Sequence, residues 1–186
     1  MRIAFVGNCQ LESLTWYFKH LLPNAECWYI NFNSNTYKGT SFNSQVKCPY
    51  DGIEYLSSCD YVVYLRMYKY ASPLFYFPKI TTLIKPHCKI LSIPNFHLDV
   101  QSPNPIKGML HREKCKGIDL SINALLKSKS IEKFYPLKQK HPNHPPVEYF
   151  LELIRHICIK FNLPFFSNED CNMFLKKGFP FGSSMK

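Results

Sequence analysis

The chain has 186 residues, of which 46% are hydrophobic, and carries 23 Lys and Arg against 13 Asp and Glu, for a net charge of +10. That length suits one globular domain with a real core, and the apolar runs are too short to cross a bilayer. The opening residues carry no signal-peptide pattern, so a soluble, cytoplasmic protein is expected.

Read in chain order, Arg2 to Val6 is a short apolar strand, followed at once by Gly7-Asn8-Cys9-Gln10. From Leu11 onward, Leu11, Leu14, Phe18, Leu21 and Leu22 mark one face of a helix that stops at Pro23. The four residues between these elements are expected on a tight strand-to-helix turn. "AECWYINFN" reads as a second strand, and the polar stretch from Ser34 to Cys48 as a long surface loop. "GIEYLSSCD" suits a short helix or turn, and "YVVYLRMY" a third strand. In "SPLFYFPKITTLIKP", Pro73 or Pro78 can occupy a first helical position and Pro86 ends the helix. "CKILSIPNF" is a fourth strand, stopping at Pro94-Asn95.

The order β-α-β-loop-β-α-β, with strands apolar on both faces, predicts an α/β fold around a mostly parallel central sheet. Ligands collect at the carboxyl ends of such strands. That rule gathers Gly7 to Gln10, the segment after Arg66, and Pro94 to His97 along one rim. Residues 1–95 thus form a sheet-forming half, 96–165 a mainly helical half, and 166–186 a short helix and tail, all within one domain spanning 1–186. In the helical half, "GIDLSINALLKSKSIEKF" has Asp119 near its start. "HPNHPPVEYFLELIRHICIKFNLP" has the strongest helical periodicity, through Val147, Phe150, Leu151, Ile154, Ile157, Cys158 and Phe161. Pro145 and Pro146 open that helix, with His144 at or just before its N-cap.

The eight cysteines include no Cys-x-x-Cys pair and no Cys-His spacing suited to zinc, so no metal site is expected and the thiols are read as reduced. The charge welcomes an anion: a phosphorylated cofactor, an acidic glycan or nucleic acid. It is dispersed, with no polybasic tail and no RNA-recognition signature, so nucleic acid is not favoured, although the charge leaves it open.

Cys9 carries the chemical interest. A cysteine at a helix N-terminus feels the helix dipole and the free backbone N–H groups, both of which favour thiolate and lower the pKa from about 8.5 toward neutrality. The same N–H groups can stabilise an oxyanion, Gly7 lets a substrate approach the backbone, and Asn8 and Gln10 flank the sulfur with amide donors. The competing reading is plain turn chemistry, with Cys9 a small packing residue, and spacing alone leans that way. A phosphatase loop is excluded because Thr15 stands where Cys-x5-Arg needs arginine, and the single glycine excludes a dinucleotide fingerprint.

"FVGNCQLESL" resembles the opening of the WcbI-type polysaccharide biosynthesis acetyltransferases, a family similar to the SGNH/GDSL hydrolases, in which serine takes the cysteine's place. "KILSIPNFHLD" and "HPPVEYFLELIRHICIKFNLP" resemble that family's strand ending in Pro-Asn and its late His-Pro segment. The resemblance implies a three-layer, flavodoxin-like or SGNH-like fold and transfer of an acetyl or other acyl group from acetyl-CoA to a glycan hydroxyl. By position it makes Cys9 the nucleophile, Gln10 and Asn8 its neighbours, and His144 the general base. SGNH enzymes keep an Asp three residues before that His. Here the position is His141, so no acid partner is visible there, and Asp119, at an expected helix start, is a candidate orienter with no contact established by the sequence. Asn95 is a substrate-facing donor or the cap of a turn after Pro94, and Arg66 a rim contact for phosphate or carboxylate or an ordinary strand-end arginine. Coenzyme A, with its phosphates, suits the +10 charge. Two alternatives stay open: a thioester or ester hydrolase, and a non-catalytic module binding coenzyme A, a nucleotide or nucleic acid.

Overall fold

The computed structural model describes residues 1–31, 52–65, 77–93, 147–164 and 169. The chain divides into two compact units, Met1–Ile93 and Pro94–Lys186.

The first unit is α/β. Its strands are β1 (Arg2–Gly7), β2 (Glu26–Asn31), β3 (Tyr61–Leu65) and β4 (Lys89–Ile93). They form one all-parallel sheet in the order β2-β1-β3-β4. The helices between them are α1 (Cys9–Leu21), α2 (Gly52–Ser58) and α3 (Phe77–Leu83). Ile3, Ala4, Phe5 and Val6 all have no exposed surface, so both faces of β1 are covered. Unbroken apolar runs are what a parallel strand with two covered faces requires. Each such Ile, Phe or Val contributes roughly 1.5–3 kcal/mol by burial. β4 alternates in burial instead, and lies at one end of the described sheet.

Helix α1 packs on β1 and β2, with Phe18 against Phe5 at a ring separation of 5.0 Å. Near its end, the Lys19 ammonium sits 3.2 Å over the Trp28 ring of β2. The Leu22 N–H donates to the Phe18 carbonyl at 2.8 Å, one residue before Pro23 stops the helix.

The start of α1 differs from the reading by periodicity. Cys9 and Gln10 belong to the helix, and the connection shrinks to Asn8. The reason is capping. The Asn8 backbone is extended and its side-chain oxygen accepts the Gln10 N–H at 3.0 Å, which lets the helix begin two residues before its first apolar position. The "GIEYLSSCD" stretch resolves into helix α2. Helix α3 starts at Phe77, next to Pro78, and ends three residues before Pro86. The expected loop from Ser34 to Cys48 and the expected helix after Asp119 lie outside the described residues.

The second unit contains α4 (Val147–Phe161). Phe150, Leu151, Ile154, Ile157, Cys158 and Phe161, placed on one face by their spacing, are buried, and Leu153 and His156 join them. The helix ends in a Schellman motif. Asn162 takes a left-handed φ of 54°, its N–H donates to the Ile159 carbonyl at 3.2 Å, and the Leu163 N–H donates to the Cys158 carbonyl at 2.8 Å. Among the described residues, no helix is long and apolar enough to cross a membrane.

Candidate functional site

In the sheet order β2-β1-β3-β4, the chain steps from β1 to one side and then returns to build on the other. The carboxyl ends of β1 and β3 therefore flank the topological switch point, where open parallel sheets hold their ligands. Cys9 follows β1 there, separated from Gly7 by one residue. It is the first residue of α1 and is exposed.

The turn around it is tightly built. Besides the Asn8 cap, the Asn8 carbonyl accepts the Leu11 N–H at 2.9 Å and the Glu12 N–H at 3.3 Å. The Ser13 hydroxyl donates to the Cys9 carbonyl at 3.0 Å, and the Tyr29 hydroxyl of β2 donates to the Gly7 carbonyl at 3.2 Å. Helix α1 buries far more than its apolar stripe, because Gln10, Glu12, Ser13 and Thr15 are buried too. Thr15 satisfies its hydroxyl on the Leu11 carbonyl at 2.7 Å.

Gly7 has a packing reason to be glycine. A Cβ there would stand 2.7 Å from Leu11 Cγ and 2.9 Å from Leu65 Cβ, so α1 and β3 fill the side on which a side chain would project. Close approach at this position is made by the protein itself.

The thiol behaves differently from the expectation drawn from its helix end. The Cys9 pKa is raised, first by burial of the sulfur's surroundings and second by the Glu12 carboxylate. The N–H groups of Cys9 and Gln10 pull it back down without reversing the balance. Hydrogen bonds from a helix N-terminus favour thiolate, but removing water and adding a nearby anion favour the neutral form more. The residue is exposed at its surface while protein crowds the sulfur from below, so at neutral pH it carries its proton. Burial, Glu12 and Cys9 all push the Tyr29 phenol upward as well. The three groups thus sit within one another's fields at the carboxyl end of β1.

Glu12 and Tyr29 are additions that sequence reading missed. Glu12 is three residues after Cys9, a helical spacing that places the two side chains side by side, and that spacing was its only signal. Tyr29 is brought in by the parallel pairing of β2 with β1, where it stands opposite Phe5, and no local motif announces it.

Of the residues singled out in sequence, Gly7, Asn8, Cys9 and Gln10 come together at this turn. Asn8 spends its side-chain oxygen on the cap, and Gln10 is 4% exposed. His144, Arg66, Asn95 and Asp119 lie outside the described residues. Cys27, Cys59 and Cys158 are buried free thiols, and burial pushes the first and last up to about 12. Among the described residues, no cluster of His, Cys, Asp and Glu could hold a metal ion. No family model, curated protein or solved structure matches the chain.

Proposed function

We propose that the protein is a coenzyme A-dependent acyltransferase that moves an acetyl or other acyl group from its thioester to a hydroxyl of a polysaccharide or glycan precursor. The observation that carries this reading is an exposed cysteine at the first position of a helix, directly after the central strand and at the switch point of a parallel sheet. It stands within Gly-Asn-Cys-Gln, the motif on which the resemblance to the WcbI-type family rests. In this reading the fold is the three-layer, SGNH-like sandwich, since right-handed crossovers leading opposite ways from β1 put α1 and α3 on opposite faces. A cytoplasmic setting suits the five free cysteines among the described residues.

The Cys9 sulfur attacks the thioester carbonyl, the Cys9 N–H at the helix end stabilises the oxyanion, and the acyl group rests on sulfur until the acceptor hydroxyl takes it. Because the sulfur starts as a thiol, its proton must be removed during attack: in this reading His144 takes it, returns it to the departing coenzyme A sulfur, and then serves as the base for the acceptor hydroxyl. In this reading Arg66, next in sequence after β3, and Asn95, two residues past β4 in sequence, bind the donor or acceptor, with Asp119 orienting His144.

Incubation with acetyl-CoA followed by intact-mass and peptide analysis tests the reading. The expected result is one acetyl group on the peptide Ile3–Lys19, whose only thiol is Cys9. Cys9→Ala should abolish the adduct and slow transfer to a glycan acceptor by roughly a thousandfold or more. Turnover of the thioester by water alone would instead make the protein a hydrolase. Binding of coenzyme A that survives Cys9→Ala, with no turnover in either protein, would make it a binding module.

A further inference from the structure

At the amino edge of the sheet, the far end of β1 from Cys9, an open groove of about 440 Å³ is lined by Met1, Asp60, Tyr61, Lys85, His87 and Lys89. All six belong to the Met1–Ile93 unit. Backbone bonds fix the frame that carries them. Lys89 of β4 stands opposite Tyr61 of β3, and its N–H donates to the Asp60 carbonyl at 3.0 Å. The turn Lys85-Pro86-His87-Cys88 is closed by the Cys88 N–H, which donates to the Lys85 carbonyl at 3.0 Å and holds Lys85 and His87 on either side of the proline.

The one acid in the lining is already spent. One Asp60 carboxylate oxygen accepts from Lys85 Nζ at 2.6 Å and the other from the Arg2 N–H at 2.8 Å. Lys85 also donates to the Ser58 carbonyl at 3.3 Å, which uses two of its three ammonium donors and leaves the third. The Lys89 ammonium lies 5.9 Å from the centre of the Tyr61 ring and, among the described residues, meets no acid. His87 is exposed, and among the described residues its ring makes no hydrogen bond. Three basic side chains with donors to give therefore line one groove whose carboxylate is neutralised. A carboxylate ligand offers two oxygens, whereas a terminal phosphate offers three and a larger charge. The volume falls in the range of small-molecule sites, about 300–1,000 Å³, and far exceeds a phosphate group alone. Tyr61 and Met1 supply apolar surface for the rest of such a molecule. A nucleic-acid strand calls for a longer basic stripe, and the neighbouring amino-edge arginine, Arg2, is balanced by Glu26 at 2.9 Å.

We propose that this groove binds a phosphorylated small molecule of nucleotide size, its terminal phosphate held by Lys85, His87 and Lys89 and its organic part lying along Tyr61 and Met1. The six residues of β1, roughly 20 Å at about 3.3 Å each, separate this ligand from Cys9, so the site is distinct from the acyl-transfer chemistry and stands without it.

Calorimetric titration of the full chain with ADP at low salt tests the site, with adenosine as the probe that lacks phosphate. The native protein should bind ADP at least roughly tenfold more tightly than adenosine. Lys89→Gln should weaken ADP binding by roughly tenfold or more, and Lys89→Gln combined with His87→Gln should remove a binding site that the native protein has, while Lys89→Arg keeps it. Raising the salt should weaken ADP far more in the native protein than in Lys89→Gln. Both positions are exposed, so the variants are expected to fold, which circular dichroism checks. The double variant should also label Cys9 with iodoacetamide at the native rate. A loss of ADP binding accompanied by altered labelling traces to a disturbed fold and counts against the groove. ADP binding as tight in the double variant as in the native protein overturns the proposal, as does native protein that binds no ADP. A single-stranded oligonucleotide that needs Lys89 and His87 where ADP does not bind would make the groove part of a nucleic-acid surface, and the small-molecule site would fall. Because ADP carries no thioester, none of these results depends on whether the protein transfers acyl groups.

Discussion

The two edges of the parallel sheet handle charge in opposite ways. At the carboxyl edge, Glu12 is buried, and its charge, together with loss of water, pushes an exposed cysteine and a buried tyrosine toward their neutral forms. At the amino edge, charges are paired in the open. Arg2 meets Glu26 at 2.9 Å and Lys85 meets Asp60 at 2.6 Å, with each side chain between about a third and a half exposed. Met1, Asp60, Tyr61, Lys85, His87 and Lys89 line an open groove of about 440 Å³ there. The contrast teaches that an ion's surroundings decide its use. Water screens the amino-edge pairs, leaving each worth about 0–1 kcal/mol, whereas a carboxylate removed from water acts strongly on whatever is beside it. The carboxyl edge is where chemistry can be tuned, and the amino edge is where strand starts are tied together.

The largest effect that sharpens this contrast comes from the steric closure of the carboxyl edge. In Gly7→Ala the new methyl meets Leu11 Cγ at 2.7 Å and Leu65 Cβ at 2.9 Å. Leu65 Cβ is fixed to its strand, so α1 must move. The expected cost is about 2–3 kcal/mol, read as a lowered urea midpoint, with labelling of Cys9 altered because its helix has shifted. A cost below about 0.5 kcal/mol would mean that α1 sits loosely on β1, and the tight turn would lose its meaning. Next in size is the cap. Asn8→Ala frees the Gln10 N–H from its 3.0 Å bond and should cost about 1 kcal/mol, with Asn8→Ser recovering most of it. Equal stability of Asn8→Ala and native protein would show that the helix starts elsewhere in solution.

Much of this edge was legible in the residues, and the parts that were not share a cause. Strands β1 and β3 announced themselves because a parallel strand covered on both faces has to be apolar throughout, as "IAFV" and "YVVYL" are. The parallel sheet followed from the alternation of strands with helices. Helix α4 was readable from period alone, yet its buried His156 was not, since a polar residue on an apolar face leaves no mark in a periodic pattern. Cys9 was placed correctly at the end of β1, but its protonation was misjudged. A rule about helix ends considers dipole and N–H groups, while the raised thiol comes from burial and from Glu12, which only the packed fold supplies. Gly7 was legible as a special position and its reason was not, because Leu65 comes from 58 residues further along the chain.

The smallest effect belongs to the amino edge and tests whether it is as wet as the contrast requires. The Asp60 carboxylate accepts from Lys85 Nζ at 2.6 Å and from the Arg2 N–H at 2.8 Å, joining the start of β1 to the turn before β3. The Lys85 bond above all, and then the Arg2 N–H, holds its carboxyl below the ordinary aspartate value. A carboxyl with a folded pKa below its unfolded value of about 3.9 stabilises the protein above that pH, and the contribution fades as pH falls through the folded value. Asp60 and Lys85 are both more than a third exposed, so solvent keeps the pair to less than about 1 kcal/mol. Asp60→Asn should therefore lower the urea midpoint slightly at pH 7, and the gap to native protein should narrow toward pH 3 and in high salt. A loss of several kcal/mol that persists in both conditions would mean that these charges are as secluded as Glu12, and the division between the two edges would fall.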